Sequence, residues 1–490
     1  MHEGRPRVTC TRAEERAAMA GHDVVVVGSG PNGLSAAVAM ARAGRSVLVL
    51  EAEETIGGAA RTMELTLPGF AHDAFSSVYP LGIGSPFFRS LPLEEHGLAW
   101  VHPPAPLAHP FDDGTAAVLE RSVHATGETL GGDAEAWRKL VWPLVAHWHE
   151  MVPDLLSPLG IMHHPLRMAA FGLDALRSLQ GLAEARFRGE HARALLGGCA
   201  AHVGLPLTYA ATASSGLVLV AAGHAVGWPF ALGGAGAVTQ ALASLLRSLG
   251  GEIRTGVRVR SLGELPPHRA ALLDVTAPQF LEIGGDRLPG RYRRALERFR
   301  LGCGVFKVDW ALSGTVPWKS PRVARAGTVH LGGTPAEIYA SERGPIHGRV
   351  SERPFVLFAQ PSAFDPTRAP PGKHVAWGYC HVPNGSDVDM TEAIEAQVER
   401  FAPGFRDLVL ARSSASPATL QRRDANLVGG DVNGGAGMLS QLFFRPAPRV
   451  HPYRTPIEGV YLCSASTPPG GGVHGMCGYH AARAALRDGW

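Results

Sequence analysis

The stretch His22-Asp-Val-Val-Val-Val-Gly-Ser-Gly-Pro-Asn-Gly33, with Ser46-Val-Leu-Val-Leu-Glu51 downstream, decides the fold. An apolar run ending on glycine, as at His22–Val27, reads as a buried parallel strand. Leu34–Ala43 is alanine-rich and helical in composition, Gly44 stops it, and Ser46–Leu50 reads as a second buried strand. Together they make a β-α-β unit of about thirty residues, the size a dinucleotide fingerprint requires. In Gly28-x-Gly30-x-x-Gly33, Gly28 permits the tight turn and Gly30 admits a pyrophosphate to the backbone, while Gly33 lets the helix pack on the strand. The helix start aims free N–H groups and a positive dipole at the phosphates, so Gly28, Ser29, Gly30, Asn32 and Gly33 form the expected cradle. Glu51 ends the second strand where a carboxylate accepts ribose hydroxyls and disfavours a 2′-phosphate.

The rest of the composition narrows the class. A chain of 490 residues predicts two or three packed domains, and 45% hydrophobic with 18% charged residues describes a globular protein with a large core. The formal charge is only +3 and no long basic run occurs, so nothing argues for nucleic acid. Cys10, Cys199, Cys303, Cys380, Cys463 and Cys477 form no C-x-x-C pair, which excludes the usual dithiol motif and paired zinc spacing. Reduced thiols in a cytoplasmic protein are the expectation. No metal site is expected, because His163-His164 lacks nearby partners. Residues 1 to 20 read as a polar, disordered extension without an apolar signal core. The longest apolar stretch, near Leu217–Ala225, is broken by Gly223 and His224 and is too short to span a bilayer. Apolar faces in residues 137–186, with Trp137, Trp142 and Trp148 nearby, read as core first and as peripheral membrane contact second. The oligomeric state is not legible.

Along the chain, residues 106–229 read as helical with proline breaks. Ala237–Leu249 reads as a helix stopped by Gly250-Gly251, before a strand over Glu252–Val259. Residues 302–312, 327–332, 354–360 and 374–382 read as strands of a second sheet, and Thr391–Phe401 as an amphipathic helix. A strand at Gly459–Cys463, a loop at Pro468–Gly472 and a helix near Gly475–Leu486 follow. These spans predict a discontinuous cofactor domain over 21–105, 230–290 and 452–490, and a substrate domain over 106–229 and 291–451.

Beyond Glu51, Gly57-Gly58-Ala-Ala-Arg61 resembles the extension of flavoproteins in the phytoene desaturase and amine oxidase superfamily, with Ala59 and Ala60 inserted before the arginine. Gly233-Gly-Ala-Gly236 with Gly251–Val259 resembles that superfamily's middle flavin segment, and Gly459–Gly475 its block closing over the flavin ring. Phe306-Lys-Val-Asp-Trp310, His381-Val-Pro-Asn-Gly385, Gly430–Gly435 and Ser466–Gly475 are similar to the branch named after pyridine nucleotide-disulfide oxidoreductase domain-containing protein 2. The resemblance implies an α/β protein: a Rossmann-type, glutathione reductase-like FAD domain with an inserted α+β substrate domain of mixed sheet and helices. It implies FAD as cofactor, with Gly57, Gly58 and Arg61 along the dinucleotide, Val259 at the adenine, and Gly472, Val473 and His474 over the flavin ring, in addition to the cradle and Glu51. No second β-α-β glycine fingerprint is present to hold NAD(P)H.

Two residues are candidates for catalysis. Lys307 resembles the amine oxidase lysine that holds a water near flavin N5; period-two alternation also puts it on one strand face with Asp309, where a structural ion pair is the competing reading. His474 sits in the flavin-covering loop as a proton shuttle or as a loop-fixing histidine. Tyr379, His381, Asp431 and Asn433 read as sheet or turn chemistry. The expected activity is oxidation of a small, largely apolar molecule by hydride transfer to flavin N5, with oxygen, quinone or another acceptor reoxidising the flavin. Redox-neutral isomerisation on reduced FAD and a non-catalytic FAD-stabilised scaffold are the alternatives.

Overall fold

Why the opening motif folds is visible in its burial. In the computed structural model, which describes residues 21–158, 160 and 162–490, His22–Val27 is the centre of a five-stranded parallel sheet. The order is Val460–Leu462, His268–Leu273, His22–Val27, Val47–Leu50, Glu252–Arg254. Alternation sends Val24 and Val26 to one face, against helices Pro31–Arg42, Gly236–Ser248 and Met476–Arg487. Val25 and Val27 face the other way, against Ala277–Gly284 and Gly290–Glu297. Both faces are covered, which is why these strands read as unbroken apolar runs. The expectation for residues 1–20 lies outside the described residues.

The second sheet has seven strands in the order Val409–Ala415, Gly304–Leu312, His374–Val382, Val356–Ala359, Ala326–Leu331, Ala105–Pro110, Ala116–Leu119. Phe306, Val308, Trp310 and Leu312 pack toward helix Thr391–Phe401. The alternate residues, including Lys307 and Asp309, turn toward Ala71–Asp73 and the cofactor half. Helices from Ala134–Ala146 to Thr212–Ala225 cover much of the remaining face.

The structure corrects three readings. The segment after residue 105 is not helical from its start: Ala105–Pro110 and Ala116–Leu119 are a hairpin on the edge of the second sheet, turned at Gly114 (φ 83°). The strand after Gly251 ends at Arg254 rather than Val259, because Gly256 (φ 70°) turns the chain so that Gly256 N and Val257 N donate to Glu53 O and Glu51 O. Val409–Ala415 was not foreseen as a strand; it is half-exposed, so its apolar signal is weak. The apolar faces divide: Trp137, Trp148, Leu179 and Leu182 are core, whereas Trp142, Leu166, Leu173 and Leu176 are exposed. Among the described residues no helix is long and apolar enough to cross a membrane.

Helix Met476–Arg487 packs tightly on Pro31–Arg42, and a Cβ at Gly478 would overlap the Asn32 carbonyl. Helix propensity alone favours Gly478→Ala by about 1 kcal/mol. Backbone cannot yield as a side chain does, so overlap wins: Gly478→Ala is expected to cost about 1–3 kcal/mol net, read as a lowered melting temperature.

Candidate cofactor and substrate site

The glycine loop is built around two carboxylates. Glu51 Oε2 accepts from Ser29 N (2.8 Å) and Ser29 Oγ (2.5 Å), and its Oε1 accepts from Glu53 N (2.9 Å). Asp274, at the end of strand His268–Leu273, accepts from Gly33 N at 2.8 Å. A Cβ on Gly30 would lie 2.9 Å from Asp274 Oδ2, and one on Gly33 would overlap Gly28 O. These glycines are therefore required by close approach, not by loop flexibility.

One continuous cavity of about 360 Å³ joins the expected pieces, a size within the range of small-molecule sites. At its nucleotide end it is lined by Gly28, Ser29, Gly30, Asn32 and Glu51, with Gly58, Arg61 and Val259 alongside. Gly472 and Val473 of the C-terminal loop join the wall further on. Gly33 and Gly57 stand behind this surface; Gly57 N donates to Ser29 Oγ at 3.3 Å. Arg61 lines the cavity but is held in place, its Nε donating to Gly58 O (3.0 Å) and its guanidinium to Arg423 O, with Phe75 beneath it at 5.4 Å. The Ala59-Ala60 insertion thus leaves the arginine on the cavity wall. The cradle, a ribose-side carboxylate and a second lining segment at Val259 fit an extended dinucleotide. The cavity reaches beyond them to the seven-stranded sheet, at Val305, Lys307, Leu357, Trp377 and Tyr379.

That half is a row across three adjacent strands. Lys307 pairs in register with Tyr379, and Tyr379 with Leu357. Trp377 lies parallel to Tyr379, with rings 6.1 Å apart and 2° between planes. Lys307 is 2% exposed; its Nζ is ion-paired with Asp309, donates to Asp73 O (3.0 Å), and sits 5.2 Å from the Trp377 ring centre. Burial pulls the ammonium below its ordinary pKa, and Asp309 opposes that pull. Asp73 in turn pairs with fully buried Arg368 at 2.8 Å and accepts from Ala235 N at 2.7 Å. His72, 3.7 Å from Asp309, is driven by burial and by Lys307 down to about 3, so it is neutral.

His474 does not line the cavity. Its Nδ1 accepts from Met476 N (3.0 Å) and Ser85 Oγ donates to its carbonyl (2.7 Å), the arrangement of a loop-fixing residue; burial lowers its pKa to about 4. Asp431 accepts from Gly302 N, Asn433 N and Gly435 N, as turn chemistry predicts. Tyr379 and Asn433 line the cavity, whereas His381 pairs with Glu342 at 2.7 Å. His163 and His164 do find a partner, the carboxylate of Asp154, but no group of three or more ligands that could hold a metal ion occurs among the described residues. All five described cysteines are buried and free.

Sequence reasoning missed Asp274, although Leu272-Leu273-Asp274 ends an apolar strand on an acid just as Leu48-Val49-Leu50-Glu51 does. It also missed Asp73, Arg368 and His202, which come together only through long-range packing.

Comparison with known proteins agrees with this geometry. A sequence family described as an NAD(P)-binding Rossmann-like domain matches residues 26–89. Pyridine nucleotide-disulfide oxidoreductase domain-containing protein 2 of Mus musculus is 29% identical, over 95% of this chain and 94% of that protein. Phytoene dehydrogenase of Streptomyces griseus is 26% identical over 79% and 77%. Among solved structures, putrescine oxidase bound to putrescine superposes with TM-score 0.63 at 18% identity, covering 96% and 99%. The chain is similar over nearly its whole length to the Mus musculus protein, more distantly to the phytoene dehydrogenase, and it shares the fold of putrescine oxidase. The nucleotide its site fits is FAD.

Asp274 generates a pH dependence. Burial, with Asp424 and Glu51 nearby, lifts its carboxyl to about 7. A carboxyl that keeps its proton longer when folded favours the fold at low pH. That contribution fades as pH rises from about 4 to about 7 and then levels off. About three pH units correspond to at most about 4 kcal/mol. Thermal melts of the native protein should lose ground relative to Asp274→Asn as pH rises from about 5 to about 7, and the difference should then level off.

Proposed function

We propose that the protein is an FAD-dependent oxidoreductase that oxidises a small, largely apolar molecule and passes the electrons to oxygen, a quinone or another acceptor. The observation that carries this is one continuous cavity, running from the dinucleotide cradle to a wall of Val305, Leu357, Trp377 and Tyr379. When bound, FAD supplies the electron-accepting chemistry. The protein's own part is to bind, orient and exclude water. Ser29 and the helix start would hold the phosphates, Glu51 would stand at the ribose, and the aromatic pair would offer a flat apolar surface to substrate.

Lys307 is the candidate for proton handling. An ammonium has three donors; two go to Asp309 and Asp73 O, which leaves one for a water or substrate atom in the cavity. The ion pair therefore aims the lysine and does not exclude it from the chemistry. A non-catalytic scaffold calls for a chamber filled by side chains, and the open cavity favours the enzyme over it. The exposed Leu166 and Leu173 on helix Pro165–Ala175 support, as part of the same proposal, peripheral contact with a membrane.

The purified protein is expected to be yellow, and anaerobic mixing with a panel of apolar compounds is expected to bleach its absorbance near about 450 nm, a general flavin property. A colourless protein, or flavin that no compound bleaches, would refute the reading. The double variant Lys307→Met with Asp309→Asn avoids leaving a buried unpaired carboxylate. It should retain FAD while slowing flavin reduction or reoxidation by at least about tenfold in stopped-flow traces.

A further inference from the structure

His202 ends helix Glu190–Ala201 and lines the substrate half of the cavity. Its Nε2 lies 3.0 Å from Nε2 of His330, a residue with no exposed surface. Both imidazoles are held neutral by burial: His202 is lowered to about 3 and His330 well below its ordinary value. In a neutral pair one ring must donate and the other accept.

The surroundings of His330 decide which. Its Nδ1 has no hydrogen-bond partner and faces Gly198 of the helix, where even a Cβ would crowd it. A buried N–H without an acceptor is rarer than an unused lone pair. The favoured state therefore has the proton of His330 on Nε2, donated to His202 Nε2. His202 must then carry its own proton on Nδ1, the atom that no protein group occupies and that is not sealed from the cavity.

The charges around this donor are already matched. Asp309 pairs with Lys307, Glu342 is hydrogen-bonded to His381 Nδ1, and Asp431 accepts three backbone N–H groups. Among the described residues none of these three carboxylates is free to receive an ammonium, and the other lining aspartates, Asp274 and Asp424, stand beside the glycine loop at Gly30 and Gly58; a desolvated cation without a partner is costly.

We propose that His202 is the polar anchor of this chamber, and that the substrate is a neutral, largely apolar molecule bearing an oxygen acceptor that receives the His202 Nδ1–H. This rests on the oxidoreductase reading above and names the substrate class of that same site. His330 is a positioning residue, because it acts by fixing the His202 tautomer.

The test uses the flavin-bound protein and three probes on one skeleton: 4-phenylcyclohexanone, phenylcyclohexane and 4-phenylcyclohexylamine, each titrated at about pH 7 while the flavin spectrum is followed. The ketone should bind about tenfold more tightly than the hydrocarbon, and the protonated amine most weakly. In His202→Phe and His202→Leu, both normalised to bound flavin, the ketone's advantage should vanish while the hydrocarbon's affinity holds. His202→Gln, which restores a side-chain N–H, should recover part of the advantage, and His330→Phe should lose part of it. Equal binding of ketone and hydrocarbon, tightest binding of the amine, or a preference that survives in both His202 variants would overturn the proposal and leave the oxidoreductase reading standing. Failure of all three probes to perturb the flavin would overturn the proposal, whereas the oxidoreductase reading falls only if no compound of the wider panel bleaches the flavin.

Discussion

Four buried charges hold the two halves of the molecule to each other. Asp73 and Arg368 form one pair and Lys307 and Asp309 the other, with Lys307 also bonded to the Asp73 carbonyl. Asp73 reaches the Gly234–Ala235 turn that opens a helix of the cofactor half, while Lys307 and Asp309 belong to the seven-stranded sheet. Two cations and two anions in one apolar enclosure tolerate each other only in fixed geometry. Removal of any one leaves an unpaired buried charge, at a cost on the order of 3–5 kcal/mol. The position of the Lys307 side of the cavity relative to the glycine loop follows from that requirement.

The same cluster dissolves a choice that the sequence posed. Lys307 read either as a structural ion pair or as a catalytic residue, and the structure makes it both paired and a wall of the cavity. The Asp309 carboxylate and the Asp73 carbonyl together take two of its three donors. His474 went the other way: loop similarity put it at the flavin, but its ring caps Met476 N behind the loop.

What was legible depended on how local the signal is. The β-α-β unit was readable because alternation, glycine spacing and Glu51 all lie within one short stretch whose strands are buried on both faces. The helix Thr391–Phe401 was readable to the residue for a similar reason, a clean amphipathic period. The hairpin Ala105–Leu119 and the edge strand Val409–Ala415 carried no such pattern, being short or half-exposed. Asp73 and Arg368 sit far apart in the chain, as do His202 and His330. No periodicity links such residues; only the fold brings them together.

The strand order has a consequence for how the protein is made. Val460–Leu462 pairs with His268–Leu273, which pairs with His22–Val27. A ribosome delivers the central strand of the cofactor sheet early and one flanking strand only after most of the chain has emerged. Until then His268–Leu273 presents an open apolar edge, the condition in which nascent chains meet chaperones or pair with the wrong neighbour. High contact order of this kind folds slowly. Gly472 and Val473, which line the cavity, follow that late strand, so the cavity wall is completed only at the last step of folding.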